Sequence, residues 1–91
     1  MTYRETLNKA RELNINPFDL IVAEELENAM DTLEVKLTEK QFELACELLK
    51  ETYFRAEENV TFWNLARAYC DLRSEGQPTT PNRILNLAYG Y

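Results

Sequence analysis

The sequence predicts an all-α fold, a compact bundle or orthogonal array of four main helices plus a short fifth helix at the C-terminus. Three observations support this. Apolar residues recur at helical spacing, capping residues precede those segments, and the 91-residue chain has only two Gly and three Pro. So few turn residues leave little material for the tight turns of a sheet. The length predicts a single domain, 1–91, with one modest core.

Capping signals set the boundaries of the predicted helices. Two pairs have capping-box spacing and two pairs place a capping residue before a proline: Thr2 with Glu5, Thr38 with Gln41, Asn16 with Pro17, and Thr80 with Pro81. Gly76 follows a periodic segment and indicates a helix end. We therefore predict helices over residues 3–13, 17–33, 39–56, 61–74 and 81–88.

Each long segment separates into an apolar and a polar face when it is projected at roughly 100° per residue. The segment 61–74 is apolar over more than half of its circumference, which is typical of a central helix. The predicted core consists of large apolar residues on the inner faces: Leu13, Phe18, Val22, Leu26, Met30, Leu33, Phe42, Cys46, Leu49, Tyr53, Leu65, Tyr69 and Leu72.

Charge is distributed unevenly along the chain. The net charge is −6, but residues 1–60 hold 7 basic and 14 acidic residues, whereas residues 61–91 hold 3 and 2. The domain thus has an acidic N-terminal part, 1–60, and an aromatic, weakly basic C-terminal part, 61–91. A negative chain lacks the Lys and Arg that attract nucleic acid or anionic lipid. We therefore expect neither direct nucleic-acid binding nor membrane binding.

The predicted helix 17–33 carries an acidic outer stripe. Glu24, Glu27, Asp31 and Glu34 project together, with the apolar Leu20 among them. The stretch 18–34 contains no Lys or Arg, although Glu–Lys pairs would stabilise a helix and like-charge pairs cost stability. The stripe is either a surface that meets a basic partner or a solvated face that keeps the protein soluble.

The two cysteines and the absence of histidine bear on chemistry. If the helices 39–56 and 61–74 form a hairpin, Cys46 and Cys70 lie at the same level, and we expect reduced core thiols rather than a disulfide. Without His there is no Glu-x-x-His pattern and no Cys–His pair, and the chain has no calcium-loop or phosphate-loop motif. We therefore expect no metal, no cofactor and no enzymatic activity.

Aromatic residues with polar tips form a second candidate interface. Trp63, Tyr69, Tyr89 and Tyr91 all lie in the C-terminal part. Such side chains are enriched where proteins bind one another. They either dock into a partner or close the core of this chain.

A helix-turn-helix over residues 62–88 is one alternative function. Arg67, Arg73 and Arg83 supply positive charge there. Phosphate contacts normally need more Lys and Arg, and the linker after residue 73 is longer than the usual turn of 3–4 residues.

The function that the sequence favours is a small cytoplasmic, non-catalytic adaptor or inhibitor. The polar N-terminus lacks the apolar stretch of a signal peptide, and no segment approaches the ~20 apolar residues of a membrane span. We expect the acidic helix face to engage a basic partner surface, for instance that of a nucleic-acid-binding protein. A homo-oligomeric structural protein is the other alternative, because Leu20, Leu44 and Phe54 are apolar positions outside the predicted inner faces.

Overall fold

The computed structural model describes Glu12, residues 17–57 and residues 59–90, and within them the chain forms four α-helices and no strand. The helices are α1 (Pro17–Leu33), α2 (Glu39–Arg55), α3 (Phe62–Ser74) and α4 (Pro81–Tyr89). The all-α class is confirmed, and these four boundaries agree with the predicted ones to within a residue. The predicted helix 3–13 lies, apart from Glu12, outside the described residues, so the count of five helices is not matched.

Threonine caps begin three of the four helices. The capping box at α2 is confirmed: the Gln41 N–H donates to Thr38 Oγ1 over 3.2 Å, and the Thr38 N–H donates to Gln41 Oε1 over 2.9 Å. Thr61 caps α3 and Thr80 caps α4, each by accepting a backbone N–H three residues ahead. These bonds satisfy N–H groups that lack a partner inside the helix. Thr2 and Asn16 lie outside the described residues.

Two helices end in the same left-handed turn with different residues at its key position. After α3, Gly76 has φ +72° and the Gln77 N–H donates to the Leu72 carbonyl over 2.8 Å. After α1, Glu34 has φ +55° and the Val35 N–H donates to the Met30 carbonyl over 2.9 Å. Both are Schellman motifs, in which glycine is the favoured left-handed residue. Glu34 is therefore held in a conformation that costs a residue with a Cβ.

Helix α3 occupies the centre of the fold, as its wide apolar arc predicted. It contacts the other three helices, and its contact with α1 is the most extensive in the described part. Helix α2 also contacts the other three, whereas α1 and α4 do not touch within the described residues. Six residues of α3 are buried: Leu65, Ala66, Ala68, Tyr69, Cys70 and Leu72.

Small side chains make up much of the core. In the part of the chain that the structure describes, five of the fourteen buried apolar residues are alanines, one each on α1, α2 and α4 and two on α3. Alanine adds little volume beyond the backbone, so helices that meet at alanine approach closely. The buried Thr52 fits this interior because its hydroxyl donates to the Leu48 carbonyl over 2.7 Å.

The predicted core is correct in part. Of the predicted members, six are buried: Val22, Leu26, Leu49, Leu65, Tyr69 and Leu72. Five others are only partly buried and pack against the core from outside: Met30, Leu33, Phe42, Cys46 and Tyr53. Leu13 and the side chain of Phe18 lie outside what the structure describes. The prediction missed the alanines and α4, whose Ile84, Leu85 and Ala88 are buried.

Substitutions at the left-handed residue of each of the two turns should change the free energy of unfolding in opposite directions. Glu34→Gly should raise the free energy of unfolding by about 1 kcal/mol, because it removes both the Cβ from a positive-φ position and a negative charge from the negative end of α1. Gly76→Ala should lower it by about 1 kcal/mol through the backbone alone, since a Cβ built there meets no atom within 4 Å. Urea unfolding of both variants measures the difference. A destabilised Glu34→Gly variant would contradict the assignment of strain to Glu34.

Candidate protein-binding surface

The outer face of α1 is acidic, as the sequence indicates. Glu27 and Asp31 are exposed and Glu24 is half-buried, while Val22 and Leu26 are buried on the opposite side. Glu34 is also exposed, but it lies beyond the last helical residue. Helical projection therefore does not fix the direction of its side chain, and the regular stripe ends at Asp31.

A groove between α1 and α2 adjoins this acidic face. It is an open depression of about 240 Å³ and is lined by residues of both helices: Asp19, Ala23, Phe42, Glu43, Cys46, Glu47 and Lys50. Ala23, Phe42 and Cys46 supply the apolar part of the lining, and all three are half-buried. The charged residues of α1 and α2 surround them. The candidate surface thus combines an apolar floor with acidic rims.

Lys50 joins the two rims at one end of the groove. Its Nζ donates to Asp19 Oδ1 over 2.8 Å and lies 3.4 Å from Glu47 Oε1. The hydrogen bond to Asp19 is the main cause that raises the pKa of Lys50, and desolvation opposes it. Because both carboxylates favour the charged ammonium, Lys50 is a fixed cation that ties the first turn of α1 to α2.

Negative charge dominates the remainder of the groove. Asp19, Glu43 and Glu47 supply three carboxylates to the lining. The one ammonium in the lining is that of Lys50, and the exposed Glu27 of α1 lies outside the lining. The formal charge of the groove lining is therefore −2.

Burial also perturbs a carboxyl on α1. Desolvation raises the pKa of Glu25, and the adjacent Glu24 raises it further. A raised carboxyl pKa means that the folded state disfavours the negative charge, so Glu25 lowers stability at neutral pH and this penalty disappears as pH falls. The acidic character of α1 is thus maintained at a cost to the fold.

Both cysteines are free thiols in different surroundings. Cys46 is half-buried in the groove, where desolvation chiefly raises the pKa of its thiol to about 11. Cys70 is fully buried in α3, and burial likewise raises its pKa to about 11. Neither thiol has the depressed pKa of a nucleophile.

None of the predicted site residues that the structure describes lines the groove, including the acidic ones of α1. Leu20 is half-buried on α1, and Trp63 is half-buried against the core. Tyr89 is 36% exposed, and its hydroxyl accepts the Glu57 N–H over 3.0 Å, so it is anchored to the segment that follows α2. Tyr91 lies outside the described residues.

Helix α2 contributes exposed apolar side chains and the groove residues that sequence reasoning missed. Leu44 is 60% exposed and Phe54 is 74% exposed. Glu43, Glu47 and Lys50 were not singled out, although the two glutamates are spaced i,i+4 around a half-buried cysteine. That spacing puts both glutamates on one face of α2, which is the part of the site that the sequence alone could have shown.

Comparison of the chain with protein-family models, curated proteins and solved structures gives no match. Among the described residues, no three His, Cys, Asp or Glu side chains are grouped to hold a metal ion. No helix in the same part of the chain has the length and apolar character to cross a membrane. The groove geometry therefore carries the functional argument.

Alkylation should distinguish the two thiols. In the native protein we expect iodoacetamide to modify Cys46 and to spare Cys70, because Cys46 is half-buried and Cys70 is fully buried. The rate at Cys46 should rise about tenfold per pH unit up to pH ~11, since the thiolate is the reactive form. Mass spectrometry of the digested protein gives both rates. Equal modification of the two cysteines in folded protein would contradict this geometry.

Proposed function

We propose that this protein is a small non-catalytic, protein-binding adaptor or inhibitor that acts in the cytoplasm. Its acidic surface on α1 and α2 binds a basic surface of another protein. The single observation that carries the proposal is the groove between these helices, whose lining combines an apolar floor with a formal charge of −2. Complementary charge steers association and fixes orientation, and apolar contact supplies affinity.

The acidic surface extends beyond the groove along α1. Asp31 is exposed on the same helix face as Glu27. A row of carboxylates of this kind resembles a phosphate backbone in charge, and a basic nucleic-acid-binding surface has the matching sign. Occupation of such a surface would block it, which is the inhibitor form of the proposal.

Self-association is the second candidate function. The observation in its favour is the exposure of Leu44 and Phe54 on α2. A homodimer that buries two such side chains per chain removes apolar surface from water at roughly 25 cal/mol per Å². The helix-turn-helix alternative has less support, since residues 75–80 separate α3 from α4, more than the usual turn.

Charge reversal inside and outside the groove tests the proposed interface. Glu43→Lys/Glu47→Lys should weaken capture of the partner at least tenfold, because it replaces attraction by repulsion at the rim. Glu57→Lys/Glu75→Lys changes the net charge equally at exposed sites that do not line the groove, so we expect less than threefold loss. Tagged protein is used for pull-down from a source-cell lysate at low and moderate salt, and captured proteins are identified by mass spectrometry.

Circular dichroism must show equal helical content for both double variants. If the two bind one basic partner equally well, the groove carboxylates are not the interface. Loss of the wild-type complex at moderate salt is expected as well, because exposed charge pairs are screened beyond about 8–10 Å.

Self-association makes a separate prediction. If the exposed side chains of α2 form a homodimer, sedimentation velocity should show a mass that rises from one chain to two with concentration. Phe54→Ser should shift this equilibrium toward monomer at least tenfold, while Tyr89→Phe, which keeps the ring, should not. A single-chain mass at every concentration would contradict this second candidate.

A further inference from the structure

We infer that the occupant of the groove between α1 and α2 is a cationic amphipathic α-helix of the partner protein. Its apolar row lies on Ala23, Phe42 and Cys46, and flanking Lys or Arg side chains approach Glu43 and Glu47 on the α2 rim. This inference rests on the proposed function and states the partner's class more narrowly.

Charge complementarity requires the occupant to be basic. Lys50 is held by Asp19 at 2.8 Å, so these two charges balance each other at one end of the groove. Glu47 is shared with the same ammonium at 3.4 Å, while the exposed Glu43 adds a further negative charge to the lining. A neutral or acidic segment in this position would leave these carboxylates without a counter-charge as water is removed.

The apolar floor of the groove requires the bound helix to carry a row of apolar side chains between its basic flanks. Ala23, Phe42 and Cys46 are half-buried, so a contact over them completes their removal from water. Cys46 belongs to this apolar lining, because its raised pKa of about 11 keeps the thiol neutral at physiological pH. An occupant with charge on every face would cover this floor with desolvated ions.

Backbone chemistry favours a helix over an extended segment. A bound strand gains affinity by pairing with an exposed sheet edge, and the described part of this chain is helical without any strand. A helix satisfies its own backbone groups, so it can lie between two other helices and use side chains alone. Its residues at i and i+4 are about 5–6 Å apart, the same spacing that separates Glu43 from Glu47 on α2.

The test uses three synthetic peptides as probes. The first is a Leu/Lys/Ala peptide with a leucine row between two lysine rows at helical spacing. The second has the same sequence with two central D-residues that prevent a continuous helix, and the third has Glu in place of Lys. The readout is the alkylation rate of Cys46, with Cys70 reporting any unfolding of the protein. Binding is measured in parallel by fluorescence anisotropy at low and moderate salt.

We expect the helical lysine peptide to slow Cys46 alkylation at least tenfold and to bind at least tenfold more tightly than its D-containing isomer. Glu43→Lys/Glu47→Lys should abolish this protection, and Glu57→Lys/Glu75→Lys should retain it. The glutamate peptide should give no protection.

Three other outcomes would overturn the inference. Equal protection by both lysine peptides, lost in Glu43→Lys/Glu47→Lys, would reject the helical occupant and leave the proposed acidic interface intact. Binding of the lysine peptides without protection of Cys46 would place the contact outside the groove. Absence of binding by either lysine peptide would count against the inference and against the proposed function together.

Discussion

Close contact of α3 with the other three helices is the constraint on which the described fold depends. Ala66 and Ala68 on α3 are fully buried, and alanines on α1, α2 and α4 are buried as well. Interiors packed to crystal-like density respond to a change of even one methylene. Short side chains at these positions allow the helices to approach closely, and the larger Leu65 and Tyr69 of α3 are buried as well. The shape of the α1–α2 groove follows from this arrangement, since both walls pack against α3.

The distribution of charged side chains follows from the same helix packing. Among the described residues, buried positions are taken by apolar side chains apart from the hydrogen-bonded Thr52, so the carboxylates of α1 and α2 lie on the outer faces. Two acidic faces that meet along a groove concentrate negative charge there, and Lys50 offsets only the end near Asp19. The raised pKa of Glu25 has the same origin, because this half-buried carboxyl is desolvated by the packing around it. The candidate binding surface is thus a result of how the helices pack, as well as of their composition.

Local signals could be predicted from the sequence, and contacts between helices could not. The Thr38–Gln41 box and the turn at Gly76 involve neighbours in the chain, so residue types sufficed to locate them. Helical projection of α1 correctly predicted that Glu27 and Asp31 are exposed on its outer face. It could not place Glu43 and Glu47 on the opposite rim, because the register of one helix against another depends on packing. Preference for large apolar residues also put Phe42 and Tyr53 in the core ahead of the alanines. The assumption of continued helical projection was wrong for Glu34, whose backbone is left-handed.

Helix α2 both lines the groove and contacts α4. One of its faces lines the groove, and the Glu57 N–H just beyond its C-terminus is held by the Tyr89 hydroxyl, thirty-two residues away in sequence. Helices α1 and α4 do not touch in the described part, so α2 and the central α3 are the elements that link them. Packed helices shift as rigid bodies more readily than they deform. A tilt of α2 around an occupant of the groove would therefore also displace the hydrogen bond between the Glu57 N–H and the Tyr89 hydroxyl.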